Sequence, residues 1–372
     1  MRTCDVAVIG GGVVGAACAR AAALRGLAVT VFDPGPDRGA ASPASAGMLA
    51  AQVEPTDADT FRLAVRGRDL YEPLAPLLRE ATGIDIGFWR PGIASLAFDD
   101  VVEDRLRNEV AAQRQAGLRC DWLEPEDVHE RWPGAAAECR GALFAPEDGA
   151  LDPQALARAC LADARRLGAT LVPEKVAAVT LTAGKATGVT TAQGTTTAGH
   201  VVIAAGAWSP TIGALPRPLP VEPVRGQMAA TPWPSATPAA ILYDGDRYVV
   251  ARGAEALLGS TMEHAGFDCH VTNDGLAQIF RGAVRLLPAL LQAPVLRTWA
   301  GLRPLTPDSR PIVGRDPEIE RLWYATGHGR NGVLLAALTG EIIGDLVSAG
   351  KTSVDVAAWQ PGPARGGEGG EA

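Results

Sequence analysis

Short apolar runs punctuated by glycine alternate along this chain with stretches of helical periodicity. Val6–Ile9 and Leu27–Phe32 are apolar without alternation, as strands of a parallel sheet covered on both faces should be. Between them lies an alanine-rich helix that Gly26 terminates. One helix is predicted over Ala58–Ala81, with Leu63, Leu70, Leu74, Leu77 and Leu78 on one face. Ile84–Phe98 reads as a hairpin turned at Arg90-Pro91-Gly92, and a helix follows over Val101–Gly117. After an acidic connector bearing Trp122 and Trp132, Asp152 as N-cap and Pro153 in the first turn open another helix. Thr170–Val202 carries several short strands, and VVIAAGAWS runs from a buried strand through a glycine turn into a helix. Leu219–Leu258 is strand-rich, Asn273–Leu287 is a helix capped by Asn273, and a last apolar helix covers Val333–Val347. The closing QPGPARGGEGGEA has no periodicity and reads as disordered. No internal repeat is present.

The first 33 residues carry the first chemical signal. Gly10, Gly12 and Gly15 form G-x-G-x-x-G between strand and helix, and Asp33 ends the next strand. The glycines permit a tight turn, backbone approach to a pyrophosphate and close helix packing, while the acid is placed to hold a ribose hydroxyl. With 43 glycines in 372 residues the bare pattern carries little weight; its context does. A secretory signal is the rival reading of this N-terminus, and Asp5 and the three consecutive glycines interrupt its apolar core.

Composition narrows the classes. At 372 residues, two domains are expected. The net charge of −8, without a basic stripe, excludes a nucleic-acid backbone binder, so anionic ligands must be caught by local arginines. No apolar run reaches the ~18 residues of a transmembrane helix. Six scattered cysteines without C-x-x-C predict a reduced, cytoplasmic protein, and the histidine spacing predicts no metal.

A second G-x-G-x-x-G, Gly327, Gly329 and Gly332, precedes the last helix. A second dinucleotide site needs a further strand and acid about 20 residues on, and too little chain with structural signal follows. The better reading is a helix N-terminus aimed at an electron-rich ligand group. The small, apolar Ala44–Ala50 suits either a loop or backbone passing close to a flat ligand.

Several segments together resemble the D-amino-acid-oxidase superfamily of flavoenzymes, and within it the glycine-oxidase branch of thiamine biosynthesis. They are VAVIGGGVVG with Asp33, ASAGMLA, VVIAAGAWS, PVRGQ, RYVVAR, LLGSTMEHAGFD, WAGLRPLTPDSRPIVG and GHGRNGVLLAALTG, in order from residue 5 to about 345. The resemblance implies an α/β chain. It comprises a Rossmann-type FAD-binding domain (residues 1–84, 141–217 and 299–358), a mixed-sheet α+β substrate domain (85–140 and 218–298) and a disordered tail (359–372). It implies FAD with Gly10, Gly12, Val13, Val14 and Gly15 at the pyrophosphate, Asp33 at the ribose and Val176 at the adenine. Ala46, Gly47, Met48 and Leu49 would lie along the isoalloxazine with Gly206 and Trp208 nearby. Gly329, Arg330, Asn331, Gly332, Val333 and Leu334 would close its pyrimidine edge. Covalent-flavin relatives have a cysteine near LRPLTPD; this chain has none there, which implies dissociable FAD.

For the substrate, the resemblance implies Arg303 on the carboxylate, joined by Tyr248, with Arg330 and Met262 lining the pocket. The alternative for Tyr248 is a core strand tyrosine, over which the site reading is preferred, and Met262 equally suits core packing. The implied activity is oxidation of glycine, sarcosine or small D-amino acids by hydride transfer to flavin N5. O2 reoxidation would give H2O2, and the imine would feed thiazole synthesis. A homo-oligomer, often a tetramer, is the family's habit. Two alternatives stay open: a D-amino-acid or glycine dehydrogenase with a quinone-type acceptor, and a non-catalytic flavin-binding protein.

Overall fold

The computed structural model describes residues 2–362 apart from 36–38, 55–56 and 137. Two eight-stranded sheets organise it. In the first, the strands Thr170–Val172, Val29–Phe32, Arg2–Ile9, Gly194–Ile203 and Leu322–Thr326 lie side by side in that order, all parallel. Ile312–Arg315 closes one edge antiparallel, and the Val176–Thr182/Lys185–Thr191 hairpin joins Gly194–Ile203. Strand residues face opposite ways in turn, and both faces are covered. Val6 and Val8 pack into one core with the helices Val13–Leu24, Pro153–Arg166 and Gly332–Ala349, whereas Ala7 and Ile9 pack into another.

The small residues of Val13–Leu24 explain how closely the last helix crosses it. A Cβ at Gly340 would fall 2.7 Å from the Ala17 carbonyl oxygen, and one at Gly344 3.0 Å from the Ala21 Cβ. Gly332–Ala349 has the length and mean hydropathy (1.6) of a membrane span, contrary to the expectation that no run would reach it, and most of it is buried within the protein. Its apolarity serves this core.

The second sheet runs Arg297–Leu305, Glu222–Pro232, Glu255–Gly259, Tyr248–Arg252, Ile241–Tyr243, Ile93–Ala97, Gly141–Ala145, Asp121–Leu123. It is antiparallel except where Ile241–Tyr243 meets Ile93–Ala97. Gly141–Ala145 pairs along its whole length with Ile93–Ala97, and Arg297–Leu305 pairs with Glu222–Pro232, so both strands lie in this second sheet.

Local differences have local causes. The helix expected over 58–81 is two, Ala58–Asp69 and Tyr71–Thr82, because Pro73 has no N–H for the Asp69 carbonyl. In 84–98 only Ile93–Ala97 is a strand; the other arm contributes a single bridge, Trp89 to Ala150. Thr272, not Asn273, caps the helix Asn273–Leu286, its Oγ1 accepting from Gly275 N–H at 3.2 Å. After Gly206 the chain makes only a 3-10 turn, Gly206–Thr211, with Pro210 inside it. Trp359, assigned to the tail, is fully buried in the first core; the tail beyond 362 lies outside the described residues.

Candidate active site

One long cleft opens at the carboxyl ends of the parallel strands and reaches the second sheet. At its near end, Gly10 adopts φ +106°, and a Cβ there would come 2.4 Å from the Ala204 carbonyl oxygen. A Cβ at Gly15 would come 2.0 Å from the Gly10 oxygen. The turn therefore excludes side chains and presents the N-terminus of Val13–Leu24, capped only from outside by Ser42 Oγ, which accepts from Val13 N–H at 3.1 Å. The Asp33 carboxylate accepts from Gly11 N–H and, at 2.7 Å, from Gly35 N–H. Lys175 and Val176 line the cleft beyond it.

Midway, the Ala46–Gly47 backbone forms a wall. Gly47 adopts φ +74°, and a Cβ there would sit 2.0 Å from the Leu151 oxygen. Arg252 clamps this wall, donating to the Ala46 carbonyl and, at 2.9 Å, to that of Leu151. Trp299 Nε1–H donates to the Ala44 carbonyl at 2.9 Å. Opposite, Asn331 precedes the helix Gly332–Ala349 without a side-chain cap, so the first N–H groups are left for whatever occupies the cleft. His328 lies beneath, its Nε2 3.0 Å from Thr339 Oγ1, and burial pushes its pKa down to about 4.

The far end is polar chemistry on a glycine floor. Arg303 Nη1 donates to the Thr261 carbonyl at 3.0 Å and Nη2 to Ser260 Oγ at 2.5 Å. Burial pulls the Arg303 pKa down and the nearby Arg330 charge adds to this, but a guanidinium stays protonated. A Cβ at Gly226 would fall 2.1 Å from Arg303 Nη1. Gly259, between Met228 and Tyr248 in the sheet, lets the Tyr248 O–H reach Met228 Sδ at 3.1 Å. Arg330 Nη2 donates to Glu54 Oε1 at 2.8 Å and lies 3.5 Å from the Tyr243 hydroxyl. Burial opposes the Arg330 charge, but Glu54 together with Tyr243 and Tyr248 outweighs it and raises the pKa. Gly329 N–H donates to the Pro304 carbonyl at 2.8 Å, joining the Arg303 strand to the second glycine loop.

The chain is similar to known proteins over almost its whole length. Residues 5–346 match the model of the FAD dependent oxidoreductase family. The chain belongs to that family. FAD is its cofactor. A glycine oxidase of Geobacillus kaustophilus is 37% identical over 360 residues, covering 95% of this chain and 96% of the relative. The crystal structure of glycine oxidase from that organism superposes with a TM-score of 0.91 at 35% identity, covering 97% and 98% of the two chains. The bifunctional protein ThiO/ThiG of Nostoc sp. is 36% identical over 93% of this chain, which spans about half (53%) of that relative's length.

The cleft suits a member of this family. Its glycine cradle and open helix end fit a pyrophosphate, Asp33 a ribose, and the Ala46–Met48 wall a flat ring. Of the residues singled out from sequence, Gly10, Gly12–Val14, Asp33, Ala46–Met48, Val176, Gly206, Trp208, Tyr248, Arg303 and Gly329–Val333 line this one cleft. Gly15 stands behind the turn. Leu49 and Leu334 are buried in the adjoining core, not in the lining, because neighbouring residues in an extended segment or a helix face different ways. Met262 is 44% exposed and outside the lining; it is the carbonyl of the preceding Thr261 that serves the site. Sequence reasoning missed Glu54, Gly226, Met228, Ser260 and His328. Gly226, Ser260 and His328 had a signal, lying in the PVRGQ, LLGSTMEHAGFD and GHGRNG segments; Glu54 and Met228 had none.

Proposed function

We propose that this protein oxidises glycine and similar small amino acids, such as sarcosine and small D-amino acids, with O2 as electron acceptor. One observation carries the reading: among the described residues Arg303 has no carboxylate partner, and its hydrogen bonds go to neutral oxygens. A partly buried guanidinium left without an anion is a site for one, and its fork matches a carboxylate. Tyr248, on the neighbouring floor, offers its hydroxyl to the same group.

Bound FAD supplies the two-electron acceptor for the substrate's α-carbon. Arg303 holds the carboxylate and so fixes where that carbon lies, which is most of what positioning contributes. The open end of Gly332–Ala349 stabilises negative charge on the opposite side of the cleft. Neither His328 nor Glu54 is free to take the substrate's proton: His328 is already bonded to Thr339 and takes up its second proton only below about pH 4, and Glu54 is engaged by Arg330. The amine therefore enters neutral. Loss of hydride from carbon and of a proton from nitrogen gives the imine, which water converts to oxo acid and ammonia. O2 takes the two electrons and two protons as H2O2. The imine of glycine is the product that a thiazole-forming step would consume, as a ThiO role requires. The six free thiols suit a reducing compartment such as the cytoplasm.

The test is the visible spectrum of the flavin-loaded protein mixed anaerobically with glycine and then aerated. Bleaching restored by air with H2O2 formed is expected. Flavin untouched by glycine, sarcosine and D-alanine overturns the reading; bleaching that air does not reverse points to another acceptor. Acid precipitation should release all of the flavin, as non-covalent binding demands.

A further inference from the structure

The far end of the cleft holds two guanidinium groups, Arg303 and Arg330, and treats them differently. Arg303 is left for an anion, whereas Arg330 is bound by Glu54 at 2.8 Å with that carboxylate only 16% exposed. Glu54 is not a loose surface acid. The buried residue before its neighbour, Gln52, is tied on every polar atom. Its N–H donates to Asp148 Oδ2 at 2.8 Å, and its Nε2 donates to Gln113 Oε1 at 2.8 Å and the Arg119 carbonyl at 2.9 Å. Its Oε1 accepts from Arg68 Nη1 at 2.5 Å, and its carbonyl accepts from Gln113 Nε2 at 2.9 Å. Arg68 in turn pairs with the fully buried Asp148 at 3.0 Å. Five hydrogen bonds on one glutamine fix the segment that presents Glu54 to the cleft.

Resting on the carboxylate role given above to Arg303, we infer that Glu54 is a charge filter that restricts the site to substrates with a single anionic group. A first carboxylate meets Arg303. A second, carried on the amine nitrogen or the α-carbon, meets a carboxylate that has already taken the Arg330 charge. Like charges placed together in a partly dehydrated site discriminate strongly between otherwise similar ligands. Removing the Glu54 charge while keeping its shape turns Arg330 into a second anion site. Glu54→Gln is that change, since its amide oxygen can still accept from Arg330.

The test uses a matched pair of compounds that carry no oxidisable amine: methoxyacetate, a monoanion shaped like sarcosine, and diglycolate, which adds one carboxylate. Binding is read from the perturbation of the flavin's visible spectrum in the absence of turnover. In the wild type diglycolate binds more weakly than methoxyacetate. Glu54→Gln lowers the ratio of the two dissociation constants at least tenfold, whereas Glu54→Asp, which keeps the charge, leaves it within threefold. Arg330→Gln serves as a second variant should Glu54→Gln lose its flavin. It leaves the Glu54 charge unopposed, so the ratio must rise. An unchanged ratio in Glu54→Gln, or in Arg330→Gln, overturns the filter while leaving the carboxylate role of Arg303 intact. A wild type that binds neither compound overturns that role and this inference with it.

Discussion

Replacing Gly226 by alanine tests the clamp without touching the clamp residue. The new Cβ would lie 2.1 Å from Arg303 Nη1, 2.5 Å from Cζ and 2.6 Å from Nη2. Ordinary contact needs about 3.5 Å, so the guanidinium must retreat by roughly 1.4 Å. That displacement breaks its bonds to Thr261 and Ser260 and takes the fork out of line with the substrate carboxylate. A hydrogen bond to a charged group contributes about 1.5–3 kcal/mol, so losing one member of the pair weakens carboxylate binding about 10- to 150-fold. The backbone bears none of this. Gly226 lies within a regular strand and has no positive φ, and the atoms that must move are the end of a flexible side chain. Reduced freedom of the unfolded chain favours alanine by about 0.4–1 kcal/mol, so Tm should hold or rise slightly. The assay is a spectral titration of the flavin-loaded variant with methoxyacetate, beside thermal unfolding. Wild-type affinity in a folded Gly226→Ala protein would refute the placement of Arg303. Loss of flavin together with a large fall in Tm would show that the glycine serves the backbone instead.

Three further outcomes follow from the geometry. Gly15→Ala sets its Cβ 2.0 Å from a main-chain oxygen that cannot retreat, so the purified variant should be colourless; stoichiometric flavin at 450 nm would contradict this. His328, held near pKa 4 against about 6.5 unfolded, makes the unfolded state bind more protons below pH 6.5. It therefore costs up to about 3 kcal/mol of stability as pH falls from 6.5 to 4, and urea midpoints of His328→Asn should lack that acid-side loss relative to the wild type. Asp148 works the other way. Burial pushes its pKa up to about 6 despite Arg68, so its ionisation lowers stability as pH rises from 4 to 6; Asp148→Asn, which leaves the buried Arg68 charge to Asp69 alone, should nonetheless destabilise at pH 7 by about 1.5–3 kcal/mol in denaturant titrations.

What was legible in the sequence was whatever is encoded locally. The strand, glycine turn, helix and Asp33 lie within 33 residues and constrain one another, and Asp152–Pro153 starts its helix as it reads. Arg303 was singled out by the resemblance of its GLRP segment and Gly329–Val333 by a glycine spacing next to an apolar helix, and both line the cleft. What stayed hidden depends on partners far along the chain. Glu54 acquires its meaning from Arg330, 276 positions away, and Gly226 from a side chain on the neighbouring strand. Met262 lies outside the cleft lining, since a side chain's direction on a short connecting segment follows no period. Pro73 was readable as a helix break, and the leucine spacing across it masked the signal. Sheet membership of Gly141–Ala145 and Arg297–Leu305 needs the pairing itself, which no apolar run specifies.

The close crossing of the first and last helices has a consequence for how the molecule is made. Ala17 and Gly340, which touch in the finished protein, are 323 positions apart. At about 5–20 residues per second, a ribosome separates their synthesis by roughly 15–65 seconds. Throughout that interval the alanine-rich helix has lost its largest packing partner, and the glycine turn before it has no second helix end across the cleft. The second sheet can pair early only in part, because its Arg297–Leu305 strand also arrives late. The nascent protein must therefore hold an unfinished nucleotide domain until the last helix has been synthesised. Ribosome-bound chains arrested near residue 330 should be sensitive to protease and unable to retain flavin, however long they are held there.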